Sequence, residues 1–248
     1  MAVTIKSERE IELMRQAGKY IAKVHEELAK EIKPGMSTYQ IDKIGEELIR
    51  SYGCIPCKGY EGFPAALCVS VNDEVVHGIP RKDHFVDNGD IVSLDFCLSY
   101  KGYQSDCART LPVGEISNDA KQLLEVTKQS FFEGIKFAKE GCHLYEISAA
   151  INDYVDQFGY GVVRDLVGHG IGREMHEDPQ IPNVGKAGKG PRLQPGMTLA
   201  IEPMITEGTW EVDVLEDDWT AVTLDGGLAA HYENTVVITD GEPELLTL

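Results

Sequence analysis

The chain has 248 residues, 42% of them hydrophobic and 26% charged, enough for one large domain or two small ones whose core needs no disulfide or metal staple. No apolar run approaches the ~20 residues of a membrane-spanning helix, and the opening MAVTIKSEREIELMRQAGK has no apolar stretch of the signal-peptide kind, so membrane, exported and fibrous classes are excluded. With 41 acidic against 23 basic residues the net charge is −18; no cluster of Lys and Arg able to release counterions from a duplex is present, which argues against a specific nucleic-acid partner.

In chain order, a first helix is expected over 7–32. Ser7, Glu8 and Glu10 suit a helix start, and Ile11, Met14, Gly18, Ile21, Val24 and Leu28 recur at three- and four-residue spacing. Lys33-Pro34-Gly35 stops it; Ser37 and Thr38 cap a second helix over 39–52, closed by Gly53. Short apolar runs at 67–71, 89–98 and 103–111 then read as strands. The same order recurs: helices over 118–139 and 144–158, strands at 162–168 and 196–205, a hairpin over 210–222 and a strand at 229–238.

That recurrence extends to residues. A shift of 106 positions lays 33–53 on 139–159, so that Lys33, Gly35, Tyr39, Ile41 and Gly53 fall on Lys139, Gly141, Tyr145, Ile147 and Gly159. A shift of 107 lays 88–96 on 195–203, with Asp95 on Glu202. Two segments at nearly one offset predict a single α/β domain over 1–248, built from two pseudo-symmetric halves of about 7–111 and 113–238.

The six cysteines (54, 57, 68, 97, 107 and 142), with no export signal, fit free thiols in a reducing, cytoplasmic setting. Cys54-Ile-Pro-Cys57 spells C-x-x-C, but no strand-to-helix context supports a redox site and no second ligand pair supports zinc. These thiols read as buried or pocket-lining.

Asp95 lies mid-strand in an apolar run, where an unpaired carboxylate is costly to bury. Glu202 holds the matching place in the second half, Asp106 falls in the strand after Asp95, and Glu233 in the penultimate apolar strand. IVSLDFCLSY and TLAIEPMI offer no basic neighbour, so ion pairing is the weaker reading and a shared cation site the stronger one. Two divalent ions would balance four carboxylates. His169, in GHGIG, has flanking glycines that let backbone and ligand approach and keep the imidazole uncovered. His176 follows in MHEDP, and His77 sits in HGIP, the counterpart of HGIG. His25, His84 and His143 have no such context; His231 shares a strand face with Glu233 and is at most a supporting residue. Oxygen-rich ligation with one imidazole suits Mn, Fe, Co or Zn in a two-metal hydrolase. HExxH, a phosphate-binding glycine loop and a G-x-S-x-G elbow are all absent.

Asp95, Asp106, His169, Glu202 and Glu233, within HGIP, GHGIGREMHEDP and LAIEPM, resemble the bacterial type I methionine aminopeptidases, and the resemblance spans essentially the whole chain. It implies a pita-bread fold, two pseudo-symmetric halves forming a curved antiparallel sheet backed by helices. It implies removal of the initiator methionine from nascent polypeptides when the next side chain is small, by attack of a water activated by two metal ions. Carried over by position, Asp95 and Asp106 bind the metal pair, Asp106 and Glu233 bridge it, and His169 and Glu202 complete the other metal. Glu202 would also handle the proton of the attacking water, His176 would donate to the carbonyl oxygen, and His77 would contact the scissile amide nitrogen or the next residue. Cys57, Tyr60, Phe63, Cys68 and Trp219 would form the methionine pocket, with Met175 where relatives often carry an aromatic residue and Glu61 where some carry His. The resemblance further implies a monomer acting on nascent chain N-termini, with any ribosome docking through the catalytic domain itself. Prolidase-like relatives usually carry an extra N-terminal domain and Gly rather than Met204 after Glu202-Pro203; a dead binding module would have lost ligands that are all present here.

Overall fold

The computed structural model describes residues 3–248; positions 1 and 2 of the expected domain lie outside them. Helix α1 (Glu8–Glu31) begins at a reciprocal cap, Ser7 N–H donating to the Glu10 carboxylate at 2.9 Å. Its apolar stripe of Met14, Ala17, Ile21, Val24 and Leu28 is wholly buried. Helix α2 (Thr38–Ser51) starts at Ser37, whose hydroxyl accepts from Gln40 N–H, and stops at Gly53, where φ is 71°. Strands β1 (Ile55–Pro56), β2 (Cys68–Val71), β3 (Glu74–Val76), β4 (Ile91–Tyr100) and β5 (Tyr103–Pro112) follow.

Helix α3 (Asn118–Ile135) and helix α4 (Leu144–Val155) open the second half, capped at Ser117 and His143. After them come β6 (Gly161–Val162), β7 (Gly168–Gly170), β8 (Glu177–Ile181), β9 (Thr198–Ile201), β10 (Met204–Thr206), β11 (Val212–Val214), β12 (Ala221–Thr223), β13 (Ala229–His231), β14 (Asn234–Val237) and β15 (Glu244–Leu245). Every strand pairing described is antiparallel. β4 pairs with β5 on one side and with β1 and β2 on the other, while a second sheet runs β15-β14-β9-β7-β8.

Each half has its own core. Ile21, Leu28, Ile41 and Ile49 of α1 and α2 pack on Leu94 and Leu98 of β4. Phe131 of α3 and Leu144, Ile147 and Ile151 of α4 pack on Leu199 and Ile201 of β9 and on Val236 of β14. The two sheets meet where β5 lies against β14: Asp106 N–H donates to Thr235 Oγ1 at 3.1 Å, and Thr235 Oγ1 donates to Asp106 C=O at 2.9 Å. Glu233 N–H reaches Ala108 C=O at 3.0 Å across the same seam. No helix among the described residues is long and apolar enough to cross a membrane.

Several expected elements are shorter or divided. The helix over 118–139 ends at Ile135, and that over 144–158 passes into a short 3-10 turn at Asp156–Phe158. The strand at 162–168 reduces to β6 and the start of β7, with a loop between. Expected strands 196–205 and 229–238 each break in two, at Glu202-Pro203 and at Tyr232-Glu233. Pro203 has no N–H to give a ladder, which accounts for the first break. At the second, Tyr232 N–H turns to Pro203 C=O and Glu233 N–H to Ala108 C=O. The 210–222 hairpin is present as β11 and β12, with Asp213 opposite Val222.

Candidate metal centre and cleft

The alternation of β4 sends Leu94 and Leu98 into the helix-backed core and Asp95 and Cys97 to the opposite face. Register places Asp106 of β5 opposite Cys97, and Cys68 of β2 opposite Asp95. From the second half, β7 carries His169, and the breaks after β9 and β13 carry Glu202 and Glu233. A cavity of about 500 Å³ is lined by all five of these ligand-type residues, and by Cys57, Tyr60, Phe63, Cys68, His77, Met175, His176 and Trp219. The structure therefore brings every candidate site residue to one cleft.

At its floor, ligand-type atoms of Asp106, His169 and Glu233 all lie within 4.8 Å of one another. His169 Nε2 is 3.5 Å from Glu202 Oε1 and 3.9 Å from Asp106 Oδ2. Its Nδ1 is 2.9 Å from Gly170 C=O. A carbonyl only accepts, so the ring proton sits on Nδ1 and the Nε2 lone pair faces the carboxylates, the orientation a metal ligand requires. Asp95 stands outside this tightest group, beside it on β4.

The glycines around His169 serve packing rather than exposure. A Cβ at Gly168 would run into Ala200 C=O and lie 3.3 Å from Glu202 Cγ, and one at Gly170 would run into Asp178 C=O. His169 is only 9% exposed. The glycines let β8 and β9 close on β7 and carry the imidazole down to the carboxylates, which corrects the expectation of an uncovered ring.

Burial dominates the electrostatics. It raises the carboxyls of Asp95, Glu202 and Glu233 well above the usual range, with mutual repulsion adding to it, and pushes Asp106 up to about 6. Among the described residues no Lys or Arg pairs with any of the four. The nearby Arg109 donates instead to the backbone C=O of Glu233 and stacks on Tyr232, 4.3 Å from its ring centre. Glu233 Oε1 is buried without a hydrogen-bond partner. Carboxylates gathered without cations, an orphaned buried oxygen and an imidazole with its lone pair turned inward fit a divalent cation.

At the mouth, His176 meets the His169 ring edge-on, centres 4.5 Å apart, and its Nδ1 is 3.3 Å from the Tyr60 hydroxyl. Burial lowers the pKa values of His77, His169 and His176, keeping the rings neutral near pH 7. His77 holds a left-handed backbone with φ of 58°, and its ring meets Trp219 at 6.3 Å. Trp219 packs edge-on against Phe63 at 5.2 Å, closing the apolar side of the cleft.

Sequence reasoning missed several supports. Asn183 Nδ2 donates to Glu202 C=O at 3.0 Å, and Thr235 brackets the Asp106 backbone. His231, expected to accompany Glu233, turns its Nε2 to 3.8 Å from Glu202 Oε2. Leu166 and Gln180 also line the cavity; the β7–β8 pairing that carries Gln180 left no alternating pattern to find.

The model of metallopeptidase family M24 matches residues 12–240. The chain is 54% identical to the methionine aminopeptidase of Clostridium acetobutylicum and 50% identical to methionine aminopeptidase 1 of Bacillus subtilis, in each case over 99% of both chains. The crystal structure of methionine aminopeptidase from Thermotoga maritima superposes with a TM-score of 0.97 at 46% identity, covering 99% of each chain. An Xaa-Pro dipeptidase from Bacillus anthracis superposes with a TM-score of 0.79 at 26% identity, but only 61% of that chain is covered. The fold is thus the pita-bread fold common to these peptidases. The chain belongs to metallopeptidase family M24 and, within it, to the methionine aminopeptidases.

Proposed function

We propose that this protein removes the initiator methionine from nascent polypeptides whose second residue is small, acting as a cytoplasmic monomer on N-termini as they leave the ribosome. The observation that carries the reading is the cluster of Asp106, His169, Glu202 and Glu233, buried without cationic partners at the floor of an apolar, sulfur- and aromatic-lined cleft. We read residues 7–111 and 113–238 as two related halves of one catalytic unit, since two helices precede the sheet strands in each.

Asp95, Asp106, His169, Glu202 and Glu233 would hold two divalent ions (Co, Mn, Fe or Zn), which when bound supply water activation and polarisation of the scissile carbonyl. Glu202 takes a proton from the attacking water and returns it to the leaving amine. With Tyr60 O–H donating to His176 Nδ1, the ring proton of His176 sits on Nε2, ready to donate to the carbonyl oxygen as charge develops. His77, neutral and held by its fixed backbone, faces the amide side. Cys57, Tyr60, Phe63, Cys68, Met175 and Trp219 offer the methionine side chain soft and aromatic contacts suited to a thioether.

The test is hydrolysis of Met-Ala-Ser against Leu-Ala-Ser, Pro-Ala-Ser and Met-Lys-Ser by chelated enzyme refilled separately with Mn, Co, Fe and Zn. Metal-dependent release confined to Met-Ala-Ser is expected. Cleavage of the other N-termini would mean that the pocket has been misread; cleavage of none, with metal bound, would overturn the reaction.

A further inference from the structure

Cys54, the sequence neighbour in the C-x-x-C stretch, is buried in the first-half core with its thiol toward Tyr52 C=O. Cys57 has a different companion. Pro56 pairs with Leu98 across β1 and β4, which sets Cys57 opposite Cys97, and Cys57 N–H donates to Cys97 C=O at 3.3 Å. Directly opposed residues of antiparallel strands have Cα atoms about 4.5–5.5 Å apart, inside the ~4.4–6.8 Å range a disulfide spans. The two thiols already converge: Cys57 Sγ is 3.3 Å and Cys97 Sγ 3.5 Å from the same acceptor, Gln104 Oε1. Cys57 is half-buried, and both cysteines line the cleft.

We propose that Cys57 and Cys97 form a dithiol modification site in the cleft wall, which hydrogen peroxide converts to a cross-strand disulfide that slows turnover and is reversed by thiols. The Cys57 sulfur attacks the peroxide, breaking the O–O bond to give a sulfenic acid and one water. Cys97 Sγ then attacks that sulfur; the S–S bond forms, the S–O bond breaks, and the hydroxide leaves with the Cys97 proton as a second water. The two thiols lose two electrons and two protons in all, and hydrogen peroxide is reduced to two waters.

The consequence for activity runs through Gln104. Its Nε2 donates to Arg173 C=O at 3.3 Å and its N–H to Gly172 C=O at 2.7 Å, tying β5 to the segment that carries Met175 and His176. A disulfide removes both S–H donors from Gln104 Oε1 and draws the Cys57 side of the methionine pocket toward β4. This effect on turnover rests on the function proposed above; the cross-link does not.

The manganese-loaded enzyme is treated with hydrogen peroxide, alkylated, digested and mapped by mass without reduction, with Met-Ala-Ser hydrolysis followed in parallel. The expected result is a Cys57–Cys97 linked peptide, a fall in activity on the order of tenfold, and recovery of both free thiols and activity with dithiothreitol. In Cys97→Thr the link is absent, while Cys54→Ser still forms it. Cys97 remaining alkylatable after treatment, or a Cys54–Cys57 link in place of the Cys57–Cys97 one, would overturn the proposal. Because the link is read by mass, its failure is distinct from a failure of methionine release.

Discussion

The two halves bring carboxylates to the same point by different means. In the first, Asp95 and Asp106 stand on ten-residue strands whose pairing runs unbroken from Ile91 opposite Pro112 to Tyr100 opposite Tyr103. A short side chain on a continuous ladder leaves little freedom. In the second half, Glu202 and Glu233 sit in gaps between short strands, where the backbone has left its own sheet. Their peptide groups are held from elsewhere: Glu233 N–H by Ala108, Glu233 C=O by Arg109, Glu202 C=O by Asn183. The longer side chains reach from a backbone that the opposite half helps to fix. The cation site is therefore rigid on one side and assembled across the seam on the other, and the seam is where substitutions can separate the two.

The largest effect is expected at Glu202. Glu202→Ala should lower kcat/KM for Met-Ala-Ser by about 10³-fold, in the range of a lost general acid–base group, with the fold intact by circular dichroism. A loss below tenfold would remove Glu202 from proton transfer. Next comes Arg109, which donates to Glu233 C=O, Asn234 Oδ1 and Thr247 C=O and covers Tyr232. Arg109→Ala should cost about 3 kcal/mol of unfolding free energy in denaturant titrations and weaken metal affinity, although Arg109 touches no carboxylate. Unaltered metal affinity would show that the second half needs no help from the first. Thr235→Val removes both hydrogen bonds to the Asp106 backbone and should cost about 2 kcal/mol, with less effect on metal affinity because the β4–β5 ladder persists.

The smallest effect is a pH dependence of the chelated protein. Carboxyls whose folded pKa values are raised bind protons more tightly folded than unfolded. Their contribution is full below the ordinary carboxyl range near pH 4 and is lost as pH rises through the folded values, about 6 for Asp106 and likewise raised by burial for Asp95, Glu202 and Glu233. The metal-free Tm should fall by roughly 5 °C between pH 5 and pH 8, and less steeply in Glu202→Gln. Manganese should restore it, more at pH 8 than at pH 5, because binding displaces protons. An identical slope in wild type and Glu202→Gln would show that Glu202 is not protonated in the metal-free fold.

The contrast between the halves also marks what a sequence can carry. Asp95 stood out because a carboxylate in an unbroken apolar run is conspicuous, and α1 and α2 were legible from caps and three-to-four spacing. Pro203 is a local mark of the break at Glu202, yet the expected strand over 196–205 ran through it. The break at Glu233 had no local mark, since it is made by Ala108 and Pro203, distant in sequence. Strands β1, β3, β8 and β15, of two to five residues, are fixed by their partners rather than by their own pattern. The glycines beside His169 were visible, but their packing against Ala200 and Asp178 was not. For the same reason Cys57 read as a neighbour of Cys54, whereas β1 sets it opposite Cys97.

The central claim, that the carboxylates at the seam are gathered for cations, is tested most directly by titrating the chelated protein with Mn²⁺ at pH 7.5 and following bound equivalents by calorimetry. Two ions per chain are predicted, accompanied by proton release and a rise in Tm, with at least one equivalent lost in Glu233→Gln. A folded chain that takes up no ion, or one whose uptake is unchanged in Glu233→Gln, would contradict it.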